Sequence, residues 1–259
     1  MIKAAFFDID GTLLSFKTHR VSDGTVRAFK RLHSAGVRTF ISSGRPLVLI
    51  PPMPVSFEGH ITMNGGLVFT KDTTLLSNPI ADEDKQRWLD FAATHNIATM
   101  LFTADSMMGA QVNDIAMRLR DQLEFEMPPI VDIDEMRRHE AYQIIAIMPP
   151  ELDSTVAGLM PHSRLPRWTP VFTDIVASGN SKARGMEAIC KHFGIAQEET
   201  IAFGDGGNDL EMLRWAGIGI AMGNAAPEVK AEADMVTTSV DEEGIEKAIE
   251  KILGWTRST

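Results

Sequence analysis

The sequence near the beginning of the chain reads Phe6-Phe7-Asp8-Ile9-Asp10-Gly11-Thr12-Leu13-Leu14. The nearly unbroken apolar run from Ala4 to Phe7 is typical of a strand that is buried on both faces of a parallel sheet. Gly11 and the turn-forming residues after it predict the end of that strand. Asp8 and Asp10 are two positions apart, so an extended backbone places both carboxylates on one side of the strand's carboxyl end, where open α/β sheets bind ligands.

Two carboxylates at that point require something that offsets their charge. Like charges about 4 Å apart repel each other by roughly 4 kcal/mol at an effective dielectric constant of about 20. A cation, a shared proton or full exposure to water would relieve this repulsion. The pair is therefore open to two interpretations: a solvated acidic turn, or a divalent-metal site in which one carboxylate is a nucleophile and the other carries a proton.

The composition is that of an ordinary globular protein. The chain has 259 residues, of which 44% are hydrophobic and 23% are charged, which predicts one or two domains with a large core. The formal net charge of −10 argues against nucleic acid or an anionic membrane as a partner, because both require clustered Lys and Arg. The only cysteine, Cys190, excludes an internal disulfide and fits a reducing compartment. The sequence shows neither a signal peptide nor an apolar run of membrane-spanning length, so we expect a cytoplasmic protein, monomeric or homodimeric.

Two further polar loops follow predicted strands. The strand from Val37 to Ile41 ends in Ser42-Ser43-Gly44-Arg45-Pro46, which can present hydroxyl and backbone donors to an anion but is also typical of an ordinary loop. The strand from Thr200 to Phe203 ends in Gly204-Asp205-Gly206-Gly207-Asn208-Asp209, a second acidic loop. This loop lacks the glycine and glutamate of an EF-hand and does not complete a dinucleotide-binding fingerprint.

Two other features are ambiguous when taken alone. The dipeptide Asn64-Gly65 follows a predicted strand from His60 to Met63, and its position favours a hairpin turn over a direct catalytic role. Lys182 begins a predicted helix that ends at Gly194. A lysine in the first turn opposes the helix dipole, so either an anion nearby offsets its charge or the side chain is solvated.

The remaining elements alternate between helix and strand. Ser22 is predicted to cap the first helix, and Asp82 to cap a helix that contains Trp88. Between 81 and 178 no segment carries a glycine-rich phosphate loop. Predicted strands cover 97–102, 142–148, 165–169, 171–177, 218–222 and 234–237, predicted helices 111–119, 152–159 and 242–253, and an irregular segment 124–129.

At this point the chain resembles the haloacid-dehalogenase superfamily of phosphohydrolases, in the branch called Cof-type, which has a type IIB cap. Asp8-Ile9-Asp10-Gly11-Thr12 resembles the family's first motif, D-x-D-G-T. The second and third motifs are matched by Ser43-Gly44-Arg45 and by Lys182, and Gly204 to Asp209 matches G-D-x-x-N-D. Ala221-Met222-Gly223-Asn224-Ala225 is similar to a further segment of that branch.

The resemblance implies a mechanism. Asp8 would attack phosphorus and form an aspartyl-phosphate, while Asp10 would protonate the leaving alcohol and then deprotonate the hydrolytic water. Mg²⁺ would be bound by the Asp8 carboxylate, the Asp10 carbonyl and Asp205. The remaining site residues implied are Ser43, Gly44, Lys182 and Asn208 for the phosphate, and Asp209 as a partner of Lys182 or of a metal-bound water. The second-motif hydroxyl is Ser43 where the branch usually has Thr, and Ser42 competes with it for this role.

The resemblance also implies the domain organisation. We expect a doubly wound, mostly parallel Rossmann-like α/β core formed by 1–80 and 179–259, and an inserted α/β cap, 81–178, that selects the substrate. The implied function is Mg²⁺-dependent hydrolysis of a small phosphorylated metabolite, with a sugar phosphate as the first candidate. The alternatives are a flavin or pyridoxal phosphate phosphatase, a phosphomutase, a signalling receiver and a catalytically silent binding protein.

Overall fold

The computed structural model of the protein describes residues 1–123, 127–167 and 169–254. These residues form two compact units. The core unit comprises Met1–Arg45, Pro51–Ser77 and the chain from Ser181 onward, and the inserted unit comprises Pro46–Ile50 and Asn78–Asn180. The second unit thus interrupts the first in the sequence.

Numbered along the described chain, the strands are β1 (Ala4–Phe7), β2 (Arg38–Ser42), β3 (Gly59–Thr62), β4 (Leu67–Thr70), β5 (Thr74–Ser77), β6 (Thr99–Phe102), β7 (Met107–Ala110), β8 (Gln143–Ala146), β9 (Ser163–Arg164), β10 (Thr173–Ala177), β11 (Thr200–Gly204), β12 (Ile218–Ala221) and β13 (Met235–Val236). The α-helices are α1 (Asp23–Ser34), α2 (Asp82–His95), α3 (Asp114–Leu123), α4 (Ile133–Met136), α5 (Asp153–Leu159), α6 (Lys182–Phe193), α7 (Leu210–Trp215), α8 (Pro227–Ala231) and α9 (Gly244–Leu253).

The core unit is built on an eight-stranded sheet in the order β13-β12-β11-β1-β2-β3-β4-β5. The strands from β13 to β3 pair in parallel, whereas β4 and β5 are antiparallel to their neighbours. All residues of β1 and β11 are buried, as expected for central strands that are covered on both faces. The predicted mostly parallel α/β fold is confirmed.

Helices cover both faces of this sheet. Phe6 stacks on Phe40, with ring centroids 5.0 Å apart, in the cluster that also contains buried residues of α6 and α7. On the opposite face, Phe7 stacks on Phe203 and contacts Phe29 of α1, at centroid distances of 5.0 and 4.7 Å. Consecutive apolar residues of β1 therefore pack against helices on opposite faces of the sheet. Because β1 is a central strand, its carboxyl end lies in the middle of the sheet edge.

The inserted unit has its own sheet and core. Its five strands follow the order β7-β6-β8-β10-β9, and every pairing is antiparallel. Trp88 of α2 is fully buried and donates its indole N–H to the Thr99 hydroxyl at 2.9 Å. Trp88 also belongs to the apolar cluster that includes Leu101 and Ile144. This packing makes α2 and the sheet one layered structure.

Several sequence-based boundaries differ from the structure. The predicted strand 165–169 is wrong at the described positions 165–167 and 169, because the strand is confined to β9 and Pro166 lacks the amide hydrogen that a ladder needs. The helix predicted over 242–253 begins only at Gly244, since Glu243 has a positive φ of 60°. Asp82 is the first residue of α2 and not its cap, which is Ala81.

Of the other local predictions, the cap at Ser22 is confirmed, and the irregular segment falls partly outside the described residues. Ser22 caps α1 as predicted, because its hydroxyl accepts the Thr25 N–H at 3.1 Å. The segment 124–129 was predicted to be irregular; 124–126 lie outside the described residues, and 127–129 have no regular secondary structure. Strands β5 and β7 and the short helix α4 were not predicted. The helices in the described parts of the chain include none that is both long and apolar enough to cross a membrane.

Candidate active site

Asp8 lies immediately after β1, at the carboxyl edge of the core sheet. Its backbone N–H donates to the Phe203 carbonyl at 3.0 Å, which extends the pairing of β1 with β11 by one residue. This register fixes the carboxylate beside the loop that follows β11. Asp8 is 6% exposed, so its carboxylate lies in a largely dehydrated position.

Lys182, the first residue of α6, is fully buried and faces two carboxylates. Its Nζ donates to Asp8 Oδ1 and to Asp209 Oδ1, at 2.5 Å in each case. Burial by itself lowers the pKa of Lys182, but the carboxylates of Asp209 and Asp8 together outweigh it and raise the pKa above its ordinary value. The sequence left open whether an anion offsets the charge of this lysine or water does, and the structure shows two carboxylate side chains beside a buried ammonium group.

Asp209 also shapes the loop that follows β11. It is fully buried, and its Oδ2 accepts the backbone N–H groups of Asp205 and Gly206, both at 2.9 Å. Because Oδ1 receives Lys182, both oxygens of Asp209 already accept hydrogen bonds. Asp209 is thus placed to hold both Lys182 and the loop.

Asp205 points toward the same cluster from that loop. Its Oδ1 accepts the Thr12 hydroxyl and its Oδ2 the Asn224 amide, both at 3.0 Å. Burial, reinforced by the Asp209 carboxylate, raises the pKa of Asp205 to about 6. Asp8, Asp205 and Asp209 each offer an oxygen, and these three atoms lie within 4.8 Å of one another.

The charge balance of this cluster fits a hard cation. Burial raises the pKa of Asp8 to about 8, and the Asp209 and Asp205 carboxylates add to the rise although Lys182 opposes it. The raised pKa of Lys182 favours a charged ion pair, whereas that of Asp8 favours the neutral acid. Two carboxylates contact one ammonium group and a third lies beside them, so we assign the charged form to Lys182 and an excess of negative charge to the acids. Carboxylate oxygens in excess of local positive charge suit a divalent metal.

Asp10 is held by a residue to which the sequence assigned no role. Arg45 donates from Nε and from Nη2 to the two oxygens of Asp10, both at 2.7 Å. This two-pronged contact fixes the plane of the carboxylate, because the guanidinium donors form a rigid fork. Asp10 remains partly open, with 40% of its side chain exposed. The structure therefore brings Asp10 to the same edge as Asp8 but with a different partner.

The second-motif turn lies against two asparagines. Asn208 Nδ2 donates to Asn64 Oδ1 at 3.0 Å. A Cβ built on Gly44 would lie 3.2 Å from Asn64 and 3.5 Å from Asn208, so glycine lets the turn approach both amides closely. Ser43 Oγ accepts the Arg45 N–H at 3.1 Å and keeps its own hydrogen to donate.

The neighbouring hydroxyl of Ser42 differs from that of Ser43 in its hydrogen bonding. Ser42 is fully buried, and its Oγ has no hydrogen-bond partner among the described residues. The Ser43 N–H donates to the Ile61 carbonyl at 2.8 Å, so only the hydroxyl of that residue is available to an anion. The geometry gives Ser43 an oriented hydroxyl.

Residues 5–249 match the profile of a family described as haloacid dehalogenase-like hydrolases. The chain belongs to this family. A Bacillus subtilis protein named "Putative phosphatase YkrA" is 32% identical over 254 residues, which cover 96% of this chain and 97% of that protein. The protein is therefore a phosphatase of the haloacid dehalogenase family.

Two solved structures support the same assignment. One is described as the haloacid dehalogenase subclass IIB sugar phosphatase BT4131; it is 37% identical, with a TM-score of 0.84 and coverage of 97% of this chain and 99% of that one. The other, the haloacid dehalogenase phosphatase BT1666 of Bacteroides thetaiotaomicron, is 35% identical, with a TM-score of 0.87 and coverage of 98% and 96%. The recognised subclass is confirmed.

Within this haloacid dehalogenase scaffold, sequence reasoning missed four side-chain roles. Thr12 and Asn224 both donate to Asp205, and Asn224 Nδ2 also donates to the Gly11 carbonyl at 2.9 Å. Arg45 holds Asp10, and Asn64 contacts Asn208.

Three of these four residues lie inside segments that were quoted for the resemblance, and the fourth, Asn64, was interpreted as a turn residue. Asn64 does lie in the turn between β3 and β4, with a positive φ of 53°, and its side chain is also part of the site.

Proposed function

We propose that the protein is a Mg²⁺-dependent phosphatase that hydrolyses a small phosphorylated metabolite, with a sugar phosphate as the first candidate, through an aspartyl-phosphate on Asp8. The observation that carries this proposal is the buried contact of Asp8 with Lys182, two residues from a partly exposed Asp10. Sugar phosphates are the first candidate substrates because a structure 37% identical to this chain is that of a sugar phosphatase.

The proposed first step divides the work between two carboxylates. An Asp8 oxygen attacks phosphorus, an Asp8–phosphorus bond forms and the bond from phosphorus to the leaving oxygen breaks. Asp10 gives its proton to that leaving oxygen, so an alcohol departs. Lys182 holds Asp8 in place and offsets the negative charge of the incoming phosphate, while the Ser43 hydroxyl donates to a phosphoryl oxygen.

In the proposed second step Asp10 acts as a base. It takes a proton from water, the water oxygen attacks phosphorus, and the bond to Asp8 breaks, which releases inorganic phosphate and restores both residues. Gly44 and Asn208 would surround the phosphate, with Asn64 holding Asn208. Arg45 would keep the Asp10 carboxylate oriented during both proton transfers.

The residues present fit the proposed Mg²⁺. The Asp8 and Asp205 carboxylates and the Asp10 carbonyl would hold it, and Asp209, whose oxygens already accept other hydrogen bonds, would support Lys182. When bound, Mg²⁺ would neutralise charge on the transferring phosphoryl group. We also propose that the segment 81–178 is the cap that selects the substrate, and that the protein is cytoplasmic.

The decisive experiment is a phosphate-release assay on a panel of hexose, pentose, flavin and pyridoxal phosphates, each with Mg²⁺ and with excess chelator. Chelator-sensitive release from the sugar phosphates is the expected result. Release only from flavin or pyridoxal phosphate would replace the substrate class and keep the reaction. Transfer of phosphate to a second sugar without release would establish a mutase, and no turnover with any member would contradict the proposed hydrolysis.

A further inference from the structure

The inserted unit contains a second group of metal-ligating side chains, Glu83, Asp84 and His162. Each offers one ligand atom, and these atoms lie within 4.8 Å of one another. Glu83 and Asp84 belong to the first turn of α2, and His162 immediately precedes β9. We propose that these three residues bind a divalent transition-metal cation of the zinc class, independently of the proposed phosphatase site.

The buried carboxylate of Asp84 carries this proposal. Asp84 is fully buried, and its Oδ2 accepts the backbone N–H of His162 at 2.9 Å and the Ser163 hydroxyl at 2.8 Å. Its Oδ1 is also buried and has no hydrogen-bond partner among the described residues. Among the described residues, Asp84 forms no ion pair, whereas its neighbours Asp82 and Lys85 pair with each other at 2.7 Å. A buried carboxylate is costly unless a cation or a hydrogen bond satisfies each oxygen, so this side chain lacks a positive partner.

The helix dipole does not remove that requirement. Acidic residues are favoured in the first turn of a helix, which accounts for the exposed acids of α2. This preference for acids does not supply the buried Oδ1 of Asp84 with a hydrogen-bond partner among the described residues. The other two residues already lie close together, since His162 Nε2 is 2.9 Å from Glu83 Oε1. The second oxygen of Glu83 is 3.7 Å from Nη2 of Arg87, so this guanidinium pairs with Glu83.

The donor set indicates the class of metal. Imidazole together with carboxylates suits zinc and its transition-metal neighbours, whereas Mg²⁺ prefers an all-oxygen shell. Three protein ligands leave further positions for water. The backbone contact from His162 to Asp84 already joins parts of the chain that are 78 residues apart. A metal here would therefore tie the start of α2 to β9 and stabilise the inserted unit against unfolding.

The test measures Zn²⁺ binding by calorimetry, in an Asp205→Asn background that disables the proposed core metal site. His162→Gln is compared with His139→Gln, a matched control in the same unit whose Nε2 lies 3.2 Å from Glu135. We expect the background protein and the His139→Gln variant to bind one Zn²⁺ per chain. His162→Gln should weaken binding at least about tenfold, because even the loss of an indirect partner of a metal ligand has an effect of that size.

A second readout separates a metal site from a structural contact. Zn²⁺ should raise the melting temperature of the background protein and of His139→Gln, but not of His162→Gln, and the visible spectrum of bound Co²⁺ should disappear in the same variant. The side chain of His162 is 60% exposed, so its replacement leaves the fold intact. Equal Zn²⁺ affinity in the two histidine variants, or no binding to the background protein, would overturn the proposal.

Discussion

Lys182 shows how a residue that is unfavourable in isolation becomes favourable in its setting. A fully buried ammonium group pays a large desolvation cost, and a lysine at a helix start also opposes the helix dipole. Asp8 and Asp209 offset both terms through contacts of 2.5 Å. Neither contact is local, because the partners are 174 and 27 positions away in the sequence.

The first prediction concerns Asp8. Asp8→Asn should abolish phosphate release, because an amide cannot form the proposed aspartyl-phosphate. Its melting temperature should equal or exceed that of the parent, since Lys182 keeps Asp209 and a buried carboxylate with a raised pKa is removed. Assays of turnover and thermal unfolding of one preparation test both statements, and appreciable turnover would refute the nucleophile.

Asp209→Asn is the matched variant for that experiment. Asp209 accepts hydrogen bonds on both oxygens, from Lys182 and from the Asp205 and Gly206 N–H groups. An asparagine offers one acceptor where two are needed. We expect it to lose about 1–3 kcal/mol of unfolding free energy, which Asp8→Asn should not.

The second prediction concerns Arg45. Arg45→Lys removes the fork that holds both oxygens of Asp10, so the proposed acid–base group loses its fixed orientation. We expect kcat to fall about 10–100-fold, the size of effect that misplacement of a reacting group produces, with a smaller change in KM. Arg38→Lys, at the other end of β2, is the control and should retain the parent kcat. An unchanged kcat in Arg45→Lys would show that Asp10 does not depend on this contact.

At the scale of elements, the turn between β3 and β4 fixes where α6 begins. Gly65 has a φ of +89°, and a Cβ at this position would lie 2.2 Å from the carbonyl oxygen of Ser181. Ser181 is the residue that caps α6, with its hydroxyl accepting the Arg184 N–H at 3.2 Å. The turn thus sets the position of Lys182, the residue after the cap.

The third prediction compares two glycines with positive φ. Gly36 has a φ of +75° but open space around the Cβ position, so Gly36→Ala should cost only about 1 kcal/mol from backbone strain. Gly65→Ala should cost about 1–3 kcal/mol more, because the methyl group meets backbone atoms. Urea unfolding measures the difference, and turnover should fall only in Gly65→Ala. Equal destabilisation by the two substitutions would contradict the close approach to Ser181.

At the scale of the whole molecule, His60 couples stability to pH. This half-buried residue of β3 stacks on Phe69 with ring centroids 5.1 Å apart, and burial lowers its pKa below the ordinary value of 6.5. The unfolded chain therefore binds a proton more readily than the folded one. The stability from a neutral His60 is complete above the unfolded-state pKa and is lost as the pH falls below it.

The fourth prediction follows from that sign. Between about pH 8 and about pH 5.5 the contribution of His60 to the unfolding free energy should fall, by at most about 1.4 kcal/mol per pH unit, whatever the other titrating groups contribute. His60→Gln should remove that contribution, so on lowering the pH over this interval the variant should gain unfolding free energy relative to the parent. Urea unfolding at both pH values measures it, and parallel profiles for the two proteins would exclude His60 as the source.

Sequence reasoning identified the central strands because these follow from local patterns. A buried apolar run such as β1 is visible without any partner, and Ser22 could be assigned as a cap from its neighbours alone. The mistakes concerned short or weakly patterned segments. β5 and β7 have four residues each, too few for periodicity to separate them from loops, and Pro166 interrupts the apolar pattern of 165–169 because it has no amide hydrogen to donate.

The sequence by itself determined the family, the parallel α/β core and the residues that approach its carboxyl edge, because motif residues there follow directly after recognisable strands. Only the tertiary structure decided which of these residues touch. It paired Asp10 with Arg45, Asn64 with Asn208, and placed three acids around one lysine. It also left the buried Oδ1 of Asp84 without a hydrogen-bond partner among the described residues. Such pairings depend on the order and register of strands that are distant in sequence, and no local pattern of residues encodes that order.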